Sequence, residues 1–192
     1  GEGIAAGVLE SVGVNLDKVR AQVMSLIAQS NLEPGPEKDA WVWPPALLMR
    51  EDRLSDAARE VLESSAAIAH SLNHSTVGTE HLLRALIASS ESAAARVLHS
   101  FDGLAGRINV ILDMILVPAE GKETPGPLAY DIWLAEALLN ASRLWRVERV
   151  GQISTAFLLF AITSQAGGKG AHVLNALGVD SEVLRRALTE SD

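Results

Sequence analysis

The chain has 192 residues, of which 48% are hydrophobic and 21% charged, and this composition predicts a globular protein and excludes a disordered one. It contains no cysteine, which excludes disulfides, thiolate zinc sites and cysteine nucleophiles and is typical of a reducing compartment such as the cytoplasm. The net charge of -8 disfavours nucleic-acid binding, and no apolar run approaches the roughly 20 residues of a membrane span. We therefore expect a soluble cytoplasmic protein. Because the chain begins with Gly1, we also expect it to belong to a longer or processed protein.

The prolines divide the chain into helical blocks. All seven lie between 34 and 45 or between 118 and 127, and proline is strongly unfavourable inside helices. The blocks between them are 1–33, 46–117 and 128–192. Apolar residues recur within the blocks at helical spacing, as in Leu54, Ala58, Val61, Leu62, Ile68, Ala69 and Leu72. This pattern predicts a nearly all-helical protein, and no strand is predicted.

The blocks are repeats of one another. A shift of 76 positions takes GTEHLL at 78–83 to STAFLL at 154–159, and a backward shift of 89 takes 91–98 to 2–9. The first block therefore corresponds to the later half of a repeat. In the two full repeats we predict long helices at about 54–73 and 129–147, helices opening at Thr79 and Thr155, short helices ending near Leu98 and Leu174, and last helices at about 104–117 and 180–190.

Helix ends carry recognisable capping residues. Gly13 and Gly178 follow apolar helix ends, where a glycine can adopt a positive φ. Asp180 precedes the last helix, and its carboxylate can accept hydrogen bonds from the free N–H groups there.

The residues from LSDAAREVLESSAAIAHSLNHSTVGTEHLLRALI at 54–87 to SESAAARVLHSF resemble the N-terminal Clp repeat domain of ATP-dependent unfoldases such as ClpC and ClpA. The opening GEGIAAGVLESVGVNLDKVRAQV is similar to the later part of a ClpC-type repeat. The resemblance implies an all-α fold in which tandem four-helix Clp repeats form a compact pseudo-twofold domain, preceded by a half repeat. The implied organisation is a half repeat at 1–33, a Pro/Trp-rich linker at 34–50 and a Clp N-type domain at 51–192, with repeats 51–117 and 128–192.

The resemblance also implies a non-enzymatic function without a cofactor. Family domains bind substrates or adaptor proteins and pass them to an ATPase ring. The alternative is a free-standing Clp-repeat accessory protein that docks on a Clp protease and modulates it. The GGKG sequence at 167–170 lacks the spacing and the Ser or Thr of a nucleotide-binding phosphate loop, so it predicts only a flexible helix start.

The resemblance further implies a binding site for phosphorylated arginine at Glu80, Thr79 and Ser55. A helix N-terminus offers N–H groups to a phosphate, and a nearby carboxylate can pair with the guanidinium. In the second repeat, Asp131 stands at the position of Ser55 and lacks its hydroxyl, and Ala156 stands at the position of Glu80 and lacks its carboxylate. The alternative is structural: Glu80 would stabilise the helix dipole and Thr79 would be the N-cap.

Three histidines lie near this motif. His74 and His81 are expected to pack and hydrogen-bond within the repeat, since no serine or carboxylate at motif spacing completes a catalytic triad. His70 and His74 lie four apart, but no third ligand is fixed, so we predict no metal site. An enzyme using Glu80 and His81 is the least favoured reading.

The connector WVWPPALLM at 41–49 places Trp41 and Trp43 beside two prolines. It is predicted either to cover the core of a neighbouring repeat or to bind a partner or a second copy of the chain, which leaves a homodimer open. Trp133 and Trp145 lie on the long helix of the last repeat, and Trp145 continues its apolar stripe.

Overall fold

A computed structural model of the chain describes residues 53–120, 126–148, 151–165 and 167–184. The chain divides into two units, Gly1–Gly35 and Pro36–Asp192, and every described residue lies in the second. The predicted half repeat and linker, including Gly13, Trp41 and Trp43, therefore lie outside the described residues.

The described residues are mostly helical, as predicted. The first repeat contains α1 (Asp56–Ser71), β1 (Thr76–Val77), α2 (Thr79–Ala88), α3 (Ala93–Ser100) and α4 (Leu104–Ile115). The second contains β2 (Ala129–Tyr130), α5 (Ile132–Glu148), α6 (Thr155–Thr163) and α7 (Lys169–Ala176), and residues 181–184 are again helical. Among these described helices, none combines the length and the apolar character needed to cross a bilayer.

Helix α1 begins later than its apolar stripe suggested. Ser55 is its N-cap, and the Ser55 hydroxyl accepts a hydrogen bond from the Ala58 N–H at 3.2 Å. Leu54 lies outside the helix because it forms a parallel bridge with Ile153. The buried face of α1 comprises Ala58, Val61, Leu62, Ser65 and Ala69.

Two helix ends use a left-handed residue. Gly178 after α7 has φ 75°, as predicted, and the next amide donates to the Leu174 carbonyl at 2.9 Å. Asn73 after α1 has φ 56°, which asparagine tolerates better than most residues, and the next amide donates to the Ala69 carbonyl at 3.0 Å. This pattern satisfies carbonyls that would otherwise lack a partner at the helix end. Asp180 also caps as predicted, because its Oδ1 accepts from the backbone amides of 182 and 183 at 2.9 Å.

Two short strands join the repeats, contrary to the prediction of no strands. β1 and β2 pair in parallel, with Thr76 opposite Ala129 and Val77 opposite Tyr130. Each strand has only two residues, so neither is long enough to produce an alternating pattern in the sequence. Their pairing is specified by tertiary packing.

The core is built around α2, which packs against α1 and against each of α3 to α7. Its buried residues are Thr79, Glu80, His81, Leu82, Leu83, Ala85, Leu86 and Ile87. Because α2 is surrounded on nearly all sides, the polar residues of its first turn are buried with the apolar ones. The GTEH motif therefore lies inside the domain, where the two repeats meet.

Candidate functional site

The motif begins at Gly78, which is the N-cap of α2 in an extended conformation. The prediction that Thr79 is the N-cap is therefore wrong, and Thr79 is the first helical residue. A Cβ atom at Gly78 would lie 2.5 Å from Glu80 Oε2 and 2.7 Å from Asp131 Oδ2. The absence of a side chain at Gly78 thus makes room for two carboxylates, one from each repeat.

Glu80 is only 5% exposed, and its neighbours are charged or titratable. Glu80 Oε1 lies 3.5 Å from the Lys169 Nζ and 3.8 Å from His81 Nδ1. The Lys169 side chain is 45% exposed, so this ion pair connects a buried carboxylate with the surface. A buried carboxylate requires such partners, since desolvation without compensation is costly.

Asp131 is the N-cap of α5. Its Oδ1 accepts a hydrogen bond from the Leu134 N–H at 2.7 Å, and its own N–H donates to the Val77 carbonyl at 3.0 Å. Burial, and after it the nearby Glu80 carboxylate, raise the pKa of Asp131 to about 7, against the opposing effects of the Leu134 N–H, Lys169 and the Trp133 N–H. Charged and neutral forms of Asp131 are therefore both populated near neutral pH.

Thr79 has a structural partner in the other repeat. It is fully buried, and its Oγ1 accepts a hydrogen bond from the Gly170 N–H at 3.0 Å. The equivalent Thr155 accepts from the Ala94 N–H at 3.2 Å. The motif threonine thus satisfies a free N–H in the first turn of a short helix in the opposite repeat.

Ser55 occupies in the first repeat the position that Asp131 occupies in the second. Its N–H donates to the Ile153 carbonyl at 3.0 Å, as the Asp131 N–H donates to the Val77 carbonyl. The structure thus brings Thr79 and Glu80 together with Asp131 and Lys169, and it places Ser55 beside the strand-like residue that precedes α6. The assignment of Glu80, Thr79 and Ser55 to phosphoarginine binding stays a prediction.

Sequence reasoning missed Asp131 and Lys169 as neighbours of Glu80. The 76-position shift identified Asp131 as the equivalent of Ser55, but it could not show that each long helix starts beside the motif of the other repeat. In the sequence, Lys169 stands out only as part of GGKG. Each long helix starts beside the motif of the other repeat, and this arrangement arises only when the two repeats pack together.

The GGKG glycines are explained by close packing at the start of α7. A Cβ atom at Gly167 would lie 2.4 Å from the Trp133 ring, and one at Gly170 would lie 2.5 Å from the Thr79 carbonyl oxygen. Gly168 also has φ 88°. The predicted helix start is confirmed, and its glycines let α7 approach α2 and α5.

His74 and His81 form a directed chain of hydrogen bonds, as expected for residues that pack within the repeat. His74 Nε2 lies 2.9 Å from the Val117 carbonyl oxygen, so Nε2 must be the donor. His74 Nδ1 then accepts from His81 Nε2 at 2.7 Å, and His81 Nδ1 accepts from the Gly78 N–H at 2.9 Å. Both rings are therefore neutral with the proton on Nε2.

The chemistry of the cluster follows from its charges. Glu80, Asp131 and Lys169 bring two carboxylates and one ammonium to the first turns of α2, α5 and α7. This arrangement favours a cationic group, and ionised Asp131 repels a phosphate. Among the described residues, no group of three or more His, Asp or Glu is placed to hold a metal ion.

The tryptophans of α5 differ in environment. Trp133 is 39% exposed, whereas Trp145 is half-buried beneath the Arg53 guanidinium, 5.0 Å from its ring centroid. Trp145 is thus only partly in the core, and Trp133 remains available at the surface.

The chain is similar in sequence to Clp ATPases. Residues 53–120 match the family described as the Clp repeat (R) N-terminal domain. Chaperone protein ClpC2 of Oryza sativa subsp. japonica is 34% identical over 126 residues, which cover 66% of this chain and 12% of that protein. The negative regulator of genetic competence ClpC/MecB of Bacillus subtilis is 37% identical over 100 residues, covering 52% of this chain and 10% of that protein. The match therefore spans about a tenth of these relatives.

Solved structures share the fold. The N-terminal domain of ClpD from Arabidopsis thaliana has a TM-score of 0.54 and 20% identity, covering 74% of this chain and 96% of that one. The ClpV N-domain in complex with a VipB peptide has a TM-score of 0.60 and 19% identity, covering 78% of this chain and 93% of that one. Residues 53–120 therefore carry a Clp repeat (R) N-terminal domain, and the described part of the chain shares the fold of Clp N-terminal domains.

Proposed function

We propose that this domain binds proteins, recognising substrates or adaptor proteins for an ATP-dependent Clp unfoldase. The observation that carries the proposal is the Clp N-terminal fold itself, which this chain shares with a ClpV N-domain that holds a VipB peptide. Its sequence relatives include ATP-binding Clp subunits, such as the ClpA homologue of Guillardia theta. A domain of this fold next to an ATPase is suited to recognition.

The geometry around the motif also favours recognition over catalysis by Glu80 and His81. Both ring nitrogens of His81 are hydrogen-bonded, to Gly78 and to His74. A histidine that acts as a general base needs a free nitrogen facing its substrate. Glu80 is buried beside Lys169. These residues are therefore better suited to organising the junction between repeats.

Phosphoarginine is a specific ligand that this function would accommodate. Binding at Thr79 and Glu80 would use the Glu80 carboxylate for the guanidinium and a helix N-terminus for the phosphate, whereas Ser55, the third predicted residue, lies beside Ile153 at the motif of the other repeat. Asp131 beside Glu80 opposes the phosphate when it is ionised. We therefore propose that phosphoarginine binding at this motif strengthens when Asp131 is neutral.

The alternative function is a Clp-repeat accessory protein that docks on a Clp protease and modulates it. The gene distinguishes the two readings, since a phosphate-binding loop of an ATPase encoded after the domain favours an unfoldase subunit. A stop codon in its place favours the accessory protein. In both proposals the domain works together with a Clp ATPase or protease.

A binding experiment tests the function directly. The chain is titrated against fluorescein-labelled α-lactalbumin in its native form and in its reduced, carboxymethylated form, which is unfolded. We expect saturable binding of the unfolded form only. Absence of this binding, together with a complex with a purified ClpC-type ATPase that changes its casein degradation, would favour the accessory role. Binding to neither would overturn both functions.

A further inference from the structure

The first turns of α5 expose three large apolar side chains. Ile132 is 45% exposed, Trp133 39% and Leu139 36%. Ile132 and Leu139 are seven residues apart and share a helix face, and Trp133 adjoins Ile132 at the start of the helix. Trp133 lies about 100° around the helix from Ile132, so the three side chains cover two adjoining faces. Single exposed apolar residues are common, but a cluster of this size is typical of an interaction surface.

The first repeat provides an internal control for this surface. Moving 76 positions back from Ile132, Trp133 and Leu139 reaches Asp56, Ala57 and Glu63. Asp56 and Glu63 are exposed on α1, where acidic residues are expected on a solvated helix face. The same fold therefore does not require apolar residues at these positions. Their occurrence on α5 is specific to the second repeat.

Trp133 is held in a fixed position. Its six-membered ring packs directly on Gly167, where a Cβ atom would lie within 2.4 Å of the ring. The equivalents of Trp133 and Gly167 in the first repeat are Ala57 and Glu91. An aromatic side chain that is already ordered loses little entropy when a ligand packs on it, which makes it a good binding anchor.

The charges around these apolar residues are mainly negative. Glu136 is exposed and lies between Ile132 and Leu139 on the same helix face, four residues after the first of them. Asp131 immediately precedes Ile132, with Glu80 beside it. Two cations lie near this group: Lys169 pairs with Glu80, and Arg143, four residues after Leu139, donates a hydrogen bond to Asn140 Oδ1 at 3.3 Å. The surface therefore complements a partner that combines an apolar side chain with a positive charge.

The size of the surface favours a short segment over a second copy of the chain. Three side chains exposed to this extent offer on the order of 250 Å² of apolar area. A stable interface between two proteins buries about 800 Å² on each partner. One or two apolar side chains of an extended or helical segment would cover the surface fully.

We propose that the α5 surface, formed by Ile132, Trp133, Glu136 and Leu139, binds a short segment of a partner protein that carries an apolar residue next to a lysine or arginine. The apolar side chain packs on Ile132 and the exposed part of Trp133 at the helix start, and the cation pairs with Glu136, one turn further along the helix. This inference rests on the proposed protein-binding function and names its surface and ligand chemistry.

The test uses three fluorescein-labelled peptides of equal length, built from leucine and arginine, leucine and glutamate, or serine and arginine. Fluorescence anisotropy gives their Kd for the 192-residue chain. We expect the leucine–arginine peptide to bind at least tenfold more tightly than either of the others. Both the apolar and the cationic parts of the ligand are thereby tested.

Two variants and a matched control locate the site. Trp133→Ala removes the anchor, and the double change Ile132→Asp with Leu139→Glu introduces the residues of the first repeat at the equivalent positions. Each should raise the Kd of the leucine–arginine peptide at least tenfold. Met114→Ser on α4, where the methionine is 41% exposed, should change it less than twofold. Circular dichroism and thermal melting check folding, and if Trp133→Ala unfolds, the double variant decides.

The outcomes separate this inference from the proposed function. If the chain binds unfolded α-lactalbumin but none of the peptides, or binds the peptides equally in all variants, the α5 surface is overturned and the function stands. If leucine–glutamate binds as well as leucine–arginine, the charge complementarity is overturned. If neither unfolded protein nor peptide binds, the proposed function fails with it.

Discussion

The hydroxyl oxygen of Thr79 accepts a hydrogen bond from the Gly170 N–H at 3.0 Å and so joins α2 of the first repeat to α7 of the second. Thr155 and Ala94 form the reciprocal bond at 3.2 Å. Both threonines are almost fully buried. Thr79 of the GTEH motif and its counterpart Thr155 therefore connect the two repeats, because each hydroxyl accepts a hydrogen bond from a backbone N–H of the opposite repeat.

Thr79→Val should destabilise the domain. Valine keeps the shape of threonine but leaves the buried Gly170 N–H without its acceptor, which costs about 1–3 kcal/mol. Urea unfolding followed by circular dichroism measures the free energy of unfolding. Thr79→Ser retains the acceptor and should lose less stability than Thr79→Val. Equal losses in the two variants would show that the hydrogen bond is not the cause.

Gly170→Ala should also destabilise the domain, by about 1–3 kcal/mol, because it overpacks the contact between α7 and α2. The added Cβ would lie 2.5 Å from the Thr79 carbonyl oxygen, which is backbone and cannot rotate away. Gly106→Ala is the matched control. Gly106 lies inside α4, and apart from its chain neighbours and the backbone of its own helix no atom lies within 4 Å of the added methyl group, so alanine should stabilise the helix by up to about 1 kcal/mol. Opposite signs in thermal melting would confirm the prediction.

Asp131→Asn should stabilise the domain at neutral and alkaline pH. The pKa of Asp131 in the folded chain is about 7, above its ordinary value of 3.8, so the folded state holds an extra proton between those two values. Stability therefore falls as the pH rises through this window. Asparagine can keep the N-cap hydrogen bond from Leu134 and stays neutral.

The size of this effect is roughly 2–4 kcal/mol at pH 8, and it should vanish near pH 4. The free energies of unfolding of both proteins between pH 4 and 8 provide the measurement. Groups that titrate equally in both proteins cancel in the difference. A difference that is independent of pH would contradict the assignment of a raised pKa to Asp131.

His81 should remain neutral at pH 6.5 with its proton on Nε2. Burial lowers the pKa of His81 below the ordinary 6.5, Glu80 opposes this shift, and His74 and Lys169 support it. A protonated His81 would direct a second N–H at the Gly78 N–H, so protonation breaks the chain of hydrogen bonds. The domain therefore loses the stability of this chain as the pH falls below 6.5 toward the folded pKa.

Long-range ¹H–¹⁵N correlation spectra report which ring nitrogen of His81 carries the proton. We expect one protonated and one unprotonated nitrogen at pH 6.5 and at pH 7.5. His81→Phe provides the assignment of the signals. A doubly protonated His81 ring at pH 6.5 in the folded chain would refute the neutral chain of hydrogen bonds from Gly78 to Val117.

Much of the architecture could be predicted because it depends on local signals. Apolar spacing identified the helices, and the capping roles of Gly178 and Asp180 follow from short-range geometry. The site could be predicted only in part. The repeat comparison shows Asp131 only as the residue that replaces the Ser55 hydroxyl in the second repeat, whereas in the structure Asp131 lies beside Glu80 of the first repeat. The residue pattern of one repeat does not specify that the neighbours of Glu80 come from the other repeat, because this arrangement depends on the pairing of β1 with β2 between the two repeats.

Phosphoarginine binding at Glu80 should depend on the charge of Asp131. A peptide carrying one phosphoarginine is titrated at pH 6 and pH 8, with its unmodified form as the comparison. Ionised Asp131 repels the phosphate, so we expect tighter binding at pH 6. Asp131→Asn should strengthen binding about tenfold at pH 8 and less at pH 6, since removing one nearby like charge is worth about 1 kcal/mol or more.

Glu80→Ala should abolish binding, and Ala156→Ser should leave it unchanged. Absence of saturable binding in both the original chain and Asp131→Asn would remove the site, as would binding unaffected by Glu80→Ala.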